Sequence, residues 1–216
     1  MTVDIAVVDY GMGNLRSVAK ALAHVAPDAS IVVSGEPAAI RNARRVVLPG
    51  QSAMPDTMAA LDASRLRDVV LACLADRPFL GVCLGLQMLF ETSEEGPTRG
   101  LGVLAGRVRR FREEALALPG GERLKIPHMG WSRVERTRPH PLWAGIEDGE
   151  RFYFAHSYFP EPADAALTAA STPYPAPFTC AIARANIVAV QFHPEKSQRA
   201  GLRLLANFVA WDGTTD

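Results

Sequence analysis

The tightest constraint on this chain is the spacing Gly81-x-Cys83-x-Gly85, set between two apolar runs. Phe79 to Val82, bounded by Pro78, reads as a short buried strand, and Leu84 to Phe90 has helical apolar spacing with no breaker after Gly85. Cys83 stands on the joint. A strand that turns directly into a helix strains and exposes its corner residue, the arrangement of a nucleophile elbow. A Cβ two residues to either side would collide with so sharp a turn, which calls for glycine at both places. The corner also lies at a helix start, where free N–H groups and the macrodipole favour an anion such as a thiolate.

A lone cysteine among apolar residues ordinarily packs as a small hydrophobe. The far end of the chain argues for more. Ile187-Val188-Ala189-Val190 reads as a second buried strand and leads into Phe192-His193-Pro194-Glu195. Pro194 holds His193 extended. Glu195, one residue past the proline, is placed to bond the imidazole and fix its tautomer. Cys83, His193 and Glu195 thus form a nucleophile, a base and an orienting acid.

The rest of the chain supplies a frame for such a corner. Val3–Val8 reads as a buried strand, Leu15–Val25 as a helix capped by Asn14, Ser30–Val33 and Arg45–Leu48 as strands, and Thr57–Leu61 and Leu66–Ala75 as helices. This alternation predicts an α/β fold, a doubly wound and mostly parallel central sheet with helices on both faces. Its functional loops belong at the carboxyl ends of the strands, where Gly11, Gly50 and Cys83 all fall. Gly11-x-Gly13 is not a dinucleotide fingerprint, because Arg16 stands where the third glycine is needed.

From Gly100 onward helices thin out. The segments Arg107–Phe111, Lys125–Pro127, Trp131–Val134, Arg151–Phe154, Leu167–Ala170, Phe178–Ala183 and Ile187–Val190 read as an antiparallel β extension that returns the His-Glu strand beside Cys83. Glu113 to Glu122 reads as a surface hairpin or loop, Leu202–Trp211 as a closing amphipathic helix, and Gly213–Asp216 as a frayed end.

With 216 residues, 48% of them hydrophobic, the chain suits one domain over 1–216 with one sizeable core. The 23 basic and 23 acidic side chains cancel, which gives no reason to expect nucleic acid or an anionic membrane as partner. The basic run Arg107–Arg112 reads as a solvated edge strand. Cys73, Cys83 and Cys180 make an odd count without a CxxC, so neither a disulfide framework nor a zinc site is expected; Cys73 and Cys180 read as core. The start lacks the marks of a signal peptide, no apolar run approaches the roughly 20 residues of a membrane span, and a cytoplasmic location suits a working thiol.

Gly81-Val82-Cys83-Leu84-Gly85-Leu86-Gln87 and Gln191-Phe192-His193-Pro194-Glu195 resemble the nucleophile and His-x-Glu motifs of the class I (triad) glutamine amidotransferases. Within that family the chain is most similar to the glutaminase subunits that serve imidazole glycerol phosphate synthesis. The nearer likeness rests on Val8 to Val18, Pro127 to Trp131, Phe152 to Tyr158 and Glu195-Lys196-Ser197.

The resemblance implies that the Cys83 thiolate attacks the side-chain amide of glutamine and that His193 protonates departing ammonia and then activates water. N–H groups from Leu84 and from the Gly50-Gln51 loop would meet the oxyanion. Gln87, Ser157 and Tyr158 would hold the amino-acid end, and no cofactor or metal is implied. Relatives usually read Pro-Gly-Val-Gly at the oxyanion loop, whereas this chain reads Pro49-Gly50-Gln51-Ser52.

Ammonia set free in water is protonated and lost as a nucleophile, so the resemblance also implies an acceptor on another polypeptide. That partner would be a (β/α)8-barrel cyclase in a heterodimer, making imidazole glycerol phosphate and an aminoimidazole carboxamide ribonucleotide, with Asn14, His128, Met129, Trp131 and Lys196 at the interface. The alternatives are a glutaminase for another acceptor, a cysteine-elbow peptidase on a similar sheet, and a catalytically silent docking subunit.

Overall fold

The computed structural model describes residues 3–116 and 123–214. In the first half, strands β1 (Val3–Val8), β2 (Ile31–Ser34), β3 (Ala43–Gly50) and β4 (Phe79–Cys83) alternate with helices α1 (Leu15–Val25), α2 (Pro37–Arg41), α3 (Met54–Ala63) and α4 (Arg67–Asp76). A single turn, α5 (Leu84–Gln87), follows the elbow and leads into β5 (Phe90–Ser93), β6 (Thr98–Arg99) and β7 (Leu104–Arg110). The second half contains β8 (His128–Arg133), β9 (Glu135–Arg136), β10 (Arg151–His156), β11 (Tyr158–Pro162), β12 (Thr168–Pro173), β13 (Pro177–Arg184) and β14 (Ile187–Val190). Helix α6 (Gln198–Ala210) closes the chain.

The main sheet runs β2-β1-β3-β4-β14-β13-β12-β9. Its first five strands are parallel and the last three antiparallel, as the α/β pattern and the β-rich second half predict. Strand alternation divides the core between the two faces. Ile5 and Val7 join α1, α6 and the aromatic C-terminal half on one face; Ala6 and Val8 join α2, α3 and α4 on the other. All five residues of β4 are buried, as befits a central parallel strand. Cys73 and Cys180 are fully buried and free.

Several local expectations are corrected. The helix expected over Leu84–Phe90 stops at Gln87: Met88 N–H still reaches back four residues to Leu84, but Leu89 N–H reaches only three, to Leu86, and the Met88 and Phe90 carbonyls accept from Leu101 and Gly102 N–H. Gly100 permits this, since a Cβ there would press into the Met88 and Phe90 carbonyls. The chain then forms a second sheet, β11-β7-β5-β6, in which β7 is interior and not an edge. Its arginines are paired: Arg107 and Arg109 reach Glu161 at 2.8 and 2.7 Å.

Lys125–Pro127 is not a strand; β8 starts at His128 and pairs with β10. Strand β14 is antiparallel to β13 but parallel to β4. Asn14 occupies the N-cap position of α1 yet its side chain makes no cap hydrogen bond. Of the expected loop at Glu113 to Glu122, Glu113–Leu116 forms a 3-10 turn and 117–122 lie outside the described residues. Thr214 is tied to Asp212 through both N–H and hydroxyl, so the expected fraying does not extend to it; 215–216 lie outside the described residues.

Candidate active site

Three strand ends build the site. Gly50 and Cys83 are paired neighbours at the carboxyl ends of β3 and β4, and β14, on the other side of β4, delivers the segment that carries His193. Cys83 has φ +56° and ψ −111°, a backbone that L residues rarely adopt and that marks a strained corner. A Cβ on Gly81 would lie 2.7 Å from the Gly85 carbonyl oxygen, and one on Gly85 would fall on the Leu48 carbonyl. Both glycines are therefore required, Gly81 by the turn itself, as its spacing suggests, and Gly85 by the β3 backbone packed against it. The helix behind the elbow is only four residues long, so the dipole expected there shrinks to one turn of free N–H groups.

His193 is extended, at φ −101° and ψ 95°, before Pro194. Its Nδ1 meets Glu195 Oε1 at 2.8 Å, and the ring lines the same cavity as Cys83. Burial works against charge on the ring, but the nearness of Cys83 and Glu195 outweighs it and pushes the imidazole up to about 10. The Glu195 side chain has no exposed surface. Its Oε1 also accepts from Asn14 Nδ2 at 3.2 Å, and its Oε2 has no partner. Asn14 therefore steadies the carboxylate instead of capping its helix.

A cavity of about 330 Å³ opens over Cys83 and is lined by Gly50, Gln51, Leu84, Gln87, Ser157, Tyr158 and His193 among others. The expected nucleophile, oxyanion and glutamine-binding positions thus converge on one space. Leu84, at the start of α5, has an N–H with no intrahelical acceptor. Gly50 lies so close to the elbow that a Cβ would be 2.5 Å from Leu84 Cβ. Beyond it, the Gln51 carbonyl accepts from the Thr57 hydroxyl at 3.1 Å, and Ser52 takes φ +81°, a conformation better suited to glycine.

Gln87 uses its Nε2 hydrogens inside the protein, on the Tyr158 carbonyl at 3.0 Å and on Gln191 Oε1 at 2.9 Å. Its Oε1 is buried without a partner. Gln191 Nε2 in turn approaches Cys83 Sγ at 3.8 Å. Sequence reasoning includes Gln191 within the histidine motif but gives it no role. Glu95 escapes it altogether; this residue lines the cavity, accepts the Met54 N–H at 2.8 Å, and burial raises its carboxyl above the usual range. No local pattern distinguishes it from the neighbouring Glu94.

Of the expected interface residues, Met129 and Trp131 are 64% and 40% exposed on β8. Lys196 is exposed, with its ammonium 5.8 Å from the Tyr153 ring centre. His128 is not on that surface: strand alternation turns it inward, where it is 2% exposed and stacked between Phe154 and Tyr174. The Asn14 side chain is committed to Glu195. No group of acidic, histidine and cysteine side chains that could hold a metal ion occurs among the described residues. Among those residues, too, no helix is long and apolar enough to cross a membrane.

Residues 6–211 match the family model for "Glutamine amidotransferase class-I". The imidazole glycerol phosphate synthase subunit HisH of Dechloromonas aromatica is 62% identical over 207 residues, covering 96% of each chain. The protein of the same name from Thiobacillus denitrificans is 59% identical over 212 residues, or 98% of this chain and 93% of that one. Among solved structures, PurLQS from Thermotoga maritima aligns with TM-score 0.69 at 15% identity, covering 97% of this chain and 99% of that one. A glutamine amidotransferase from Thermotoga maritima gives 0.62 at 18% identity, with 93% and 79% covered.

Proposed function

The chain belongs to the class-I glutamine amidotransferase family, and from that premise we propose that it is the glutaminase subunit of an imidazole glycerol phosphate synthase in histidine biosynthesis. One observation carries the site assignment: His193, held by Glu195, and the strained Cys83 line one cavity with Gln87 and Tyr158. The volume sits near the lower end of the roughly 300–1,000 Å³ of ligand pockets, a size suited to one amino acid.

The Cys83 sulfur attacks the carboxamide carbon of glutamine, and the carbonyl π electrons move to oxygen. N–H groups of Leu84 and of the Gly50-Gln51 loop receive that oxyanion. As it collapses, His193 gives its proton to the departing nitrogen, which leaves as ammonia, and a thioester remains. His193 then takes a proton from water, the hydroxide adds to the thioester carbon, and the thiolate departs from glutamate. Glu195 keeps Nδ1 protonated so that the opposite nitrogen does the transfers. In the cavity, Gln87 Oε1 and the carboxylate of Glu95 suit the donors of the substrate's amino-acid end, beside the Ser157 and Tyr158 backbone.

The ammonia passes to a cyclase subunit, which we take to be a (β/α)8 barrel docking on the exposed Met129, Trp131 and Lys196 around the cavity mouth, in the cytoplasm. Cys83→Ala tests the division of labour. The complex should lose glutamine-dependent synthesis and keep synthesis from ammonium salt at raised pH. Loss of both reactions would refute it.

A further inference from the structure

Beneath the cavity lies a run of polar contacts that the chemistry above does not use. His156 Nδ1 meets the Tyr158 carbonyl at 2.7 Å, His156 Nε2 meets His128 Nδ1 at 3.1 Å, and His128 Nε2 meets the Ser132 hydroxyl at 2.8 Å. A carbonyl cannot donate, so with one proton on each ring the direction of every bond follows from that end. His156 must carry its proton on Nδ1, leaving Nε2 as acceptor; His128 must then also carry its proton on Nδ1; Ser132 must donate. A second proton would turn the Ser132 hydroxyl from donor to acceptor, which it can be, so it is burial that keeps the rings neutral. Burial opposes that charge, lowering His128 to about 4 and His156 to about 3.

The line is rigid and begins on the partner-facing strand. The His128 ring is stacked 3.8 Å from Tyr174 and 4.8 Å from Phe154, and His156 packs against Phe111 and Phe178. Residues four apart on a straight strand stand about 13 Å apart. Ser132 and His128 nevertheless touch, and between them lies Gly130 at φ +138°, which lets β8 bend. Met129 and Trp131, pointing the other way from the same strand, are large exposed hydrophobic side chains.

We propose that His128 and His156 are positioning residues, a directional line of neutral imidazoles that holds the Tyr158 carbonyl of the glutamine pocket and ties it to Ser132 on β8. This rests on the glutamine-pocket reading above. The Tyr158 carbonyl also accepts from Gln87, which lines the same cavity, so a shift in that carbonyl changes how glutamine is held before it changes the thiol chemistry.

Two measurements test the line. Nitrogen-15 spectra of histidine-labelled protein at pH 7 should show both buried rings neutral and protonated on Nδ1; an Nε2–H form or a charged ring at either position would overturn it. In the complex with the cyclase, Ser132→Ala removes the terminal donor and should raise KM for glutamine about fivefold, with kcat changed less than about twofold. Ser132→Thr, which keeps the hydroxyl, should restore KM. Partial misfolding would lower kcat and leave KM alone, so an unchanged KM in Ser132→Ala also overturns the proposal. Absence of glutamate release by the wild-type complex would refute the glutaminase reading, while the spectra would still decide the tautomers.

Discussion

Glu195 illustrates how much one side chain can be asked to do. Its buried Oε1 receives both His193 and Asn14, so its charge is compensated from two directions. Glu195→Gln keeps a group that can orient the ring but gives up the charge that stabilises its protonated form. His193→Ala removes the proton carrier itself. We expect the latter to lower single-turnover thioester formation by ~10²–10⁴-fold and the former by less; equal or reversed effects would contradict the roles. Asn14 makes a sharper case. At an ordinary N-cap, mutation to alanine costs about 1 kcal/mol of stability. Here the side chain caps nothing. Asn14→Ala should therefore slow glutamine hydrolysis while moving the urea midpoint little, and a large loss of stability with normal turnover would reverse the argument.

At the level of elements, the elbow and the loop beside it follow opposite rules for glycine. A Cβ on Gly85 would run into the Leu48 carbonyl, which is sheet backbone and cannot step aside, whereas on Gly81 the nearest atoms are the Gly85 carbonyl oxygen at 2.7 Å and Ala189 Cβ at 2.9 Å. Gly85→Ala should be the more destabilising of the two in urea unfolding; the reverse order would mean that α5 can slide away from β3. In the oxyanion loop, Ser52 holds φ +81° without being glycine. Relief of such strain is worth of order 1–3 kcal/mol, while glycine loosens the unfolded chain by about 0.4–1 kcal/mol. Ser52→Gly should thus stabilise the chain modestly, by about 1 kcal/mol. It should ease rotation of the Gly50-Gln51 peptide, raise glutamate release by the chain alone and shrink the stimulation given by the cyclase with its nucleotide bound. Equal rates for wild type and variant, alone and in complex, would dispose of the idea.

Over the whole molecule, the buried histidines pull stability in two directions with pH. His128, His140 and His156 are lowered by burial to about 4, about 4 and about 3. Below their unfolded value near 6.5 the unfolded chain takes up protons that the folded chain refuses, so stability falls with pH by up to about 1.4 kcal/mol per unit for each ring. His193, raised to about 10, acts oppositely: its contribution is complete below 6.5 and is lost as pH rises to 10. Urea midpoints should fall between pH 6.5 and 5, before most carboxylates titrate. A decline above pH 7 should weaken in His193→Asn; a flat acidic limb would contradict the neutral rings. Much of the frame behind these numbers is legible in spacing alone. Apolar runs of strand length place β1, β3, β4 and β14, and two glycines around Cys83 announce the elbow, because each signal lies within a few residues, although the clash that excludes a side chain at Gly85 comes from Leu48 on β3. The early end of α5, the interior place of β7 and the inward turn of His128 were not legible, since each depends on which distant strand arrives alongside. The same holds for the partners of the polar atoms. Asn14 and Glu195 are 181 positions apart, and Gln87 and Gln191 are 104 apart. Their side chains are ordinary polar groups in the sequence; they become parts of a site only because strands from both ends of the chain finish at one edge of the sheet, where burial leaves each donor few acceptors to choose from.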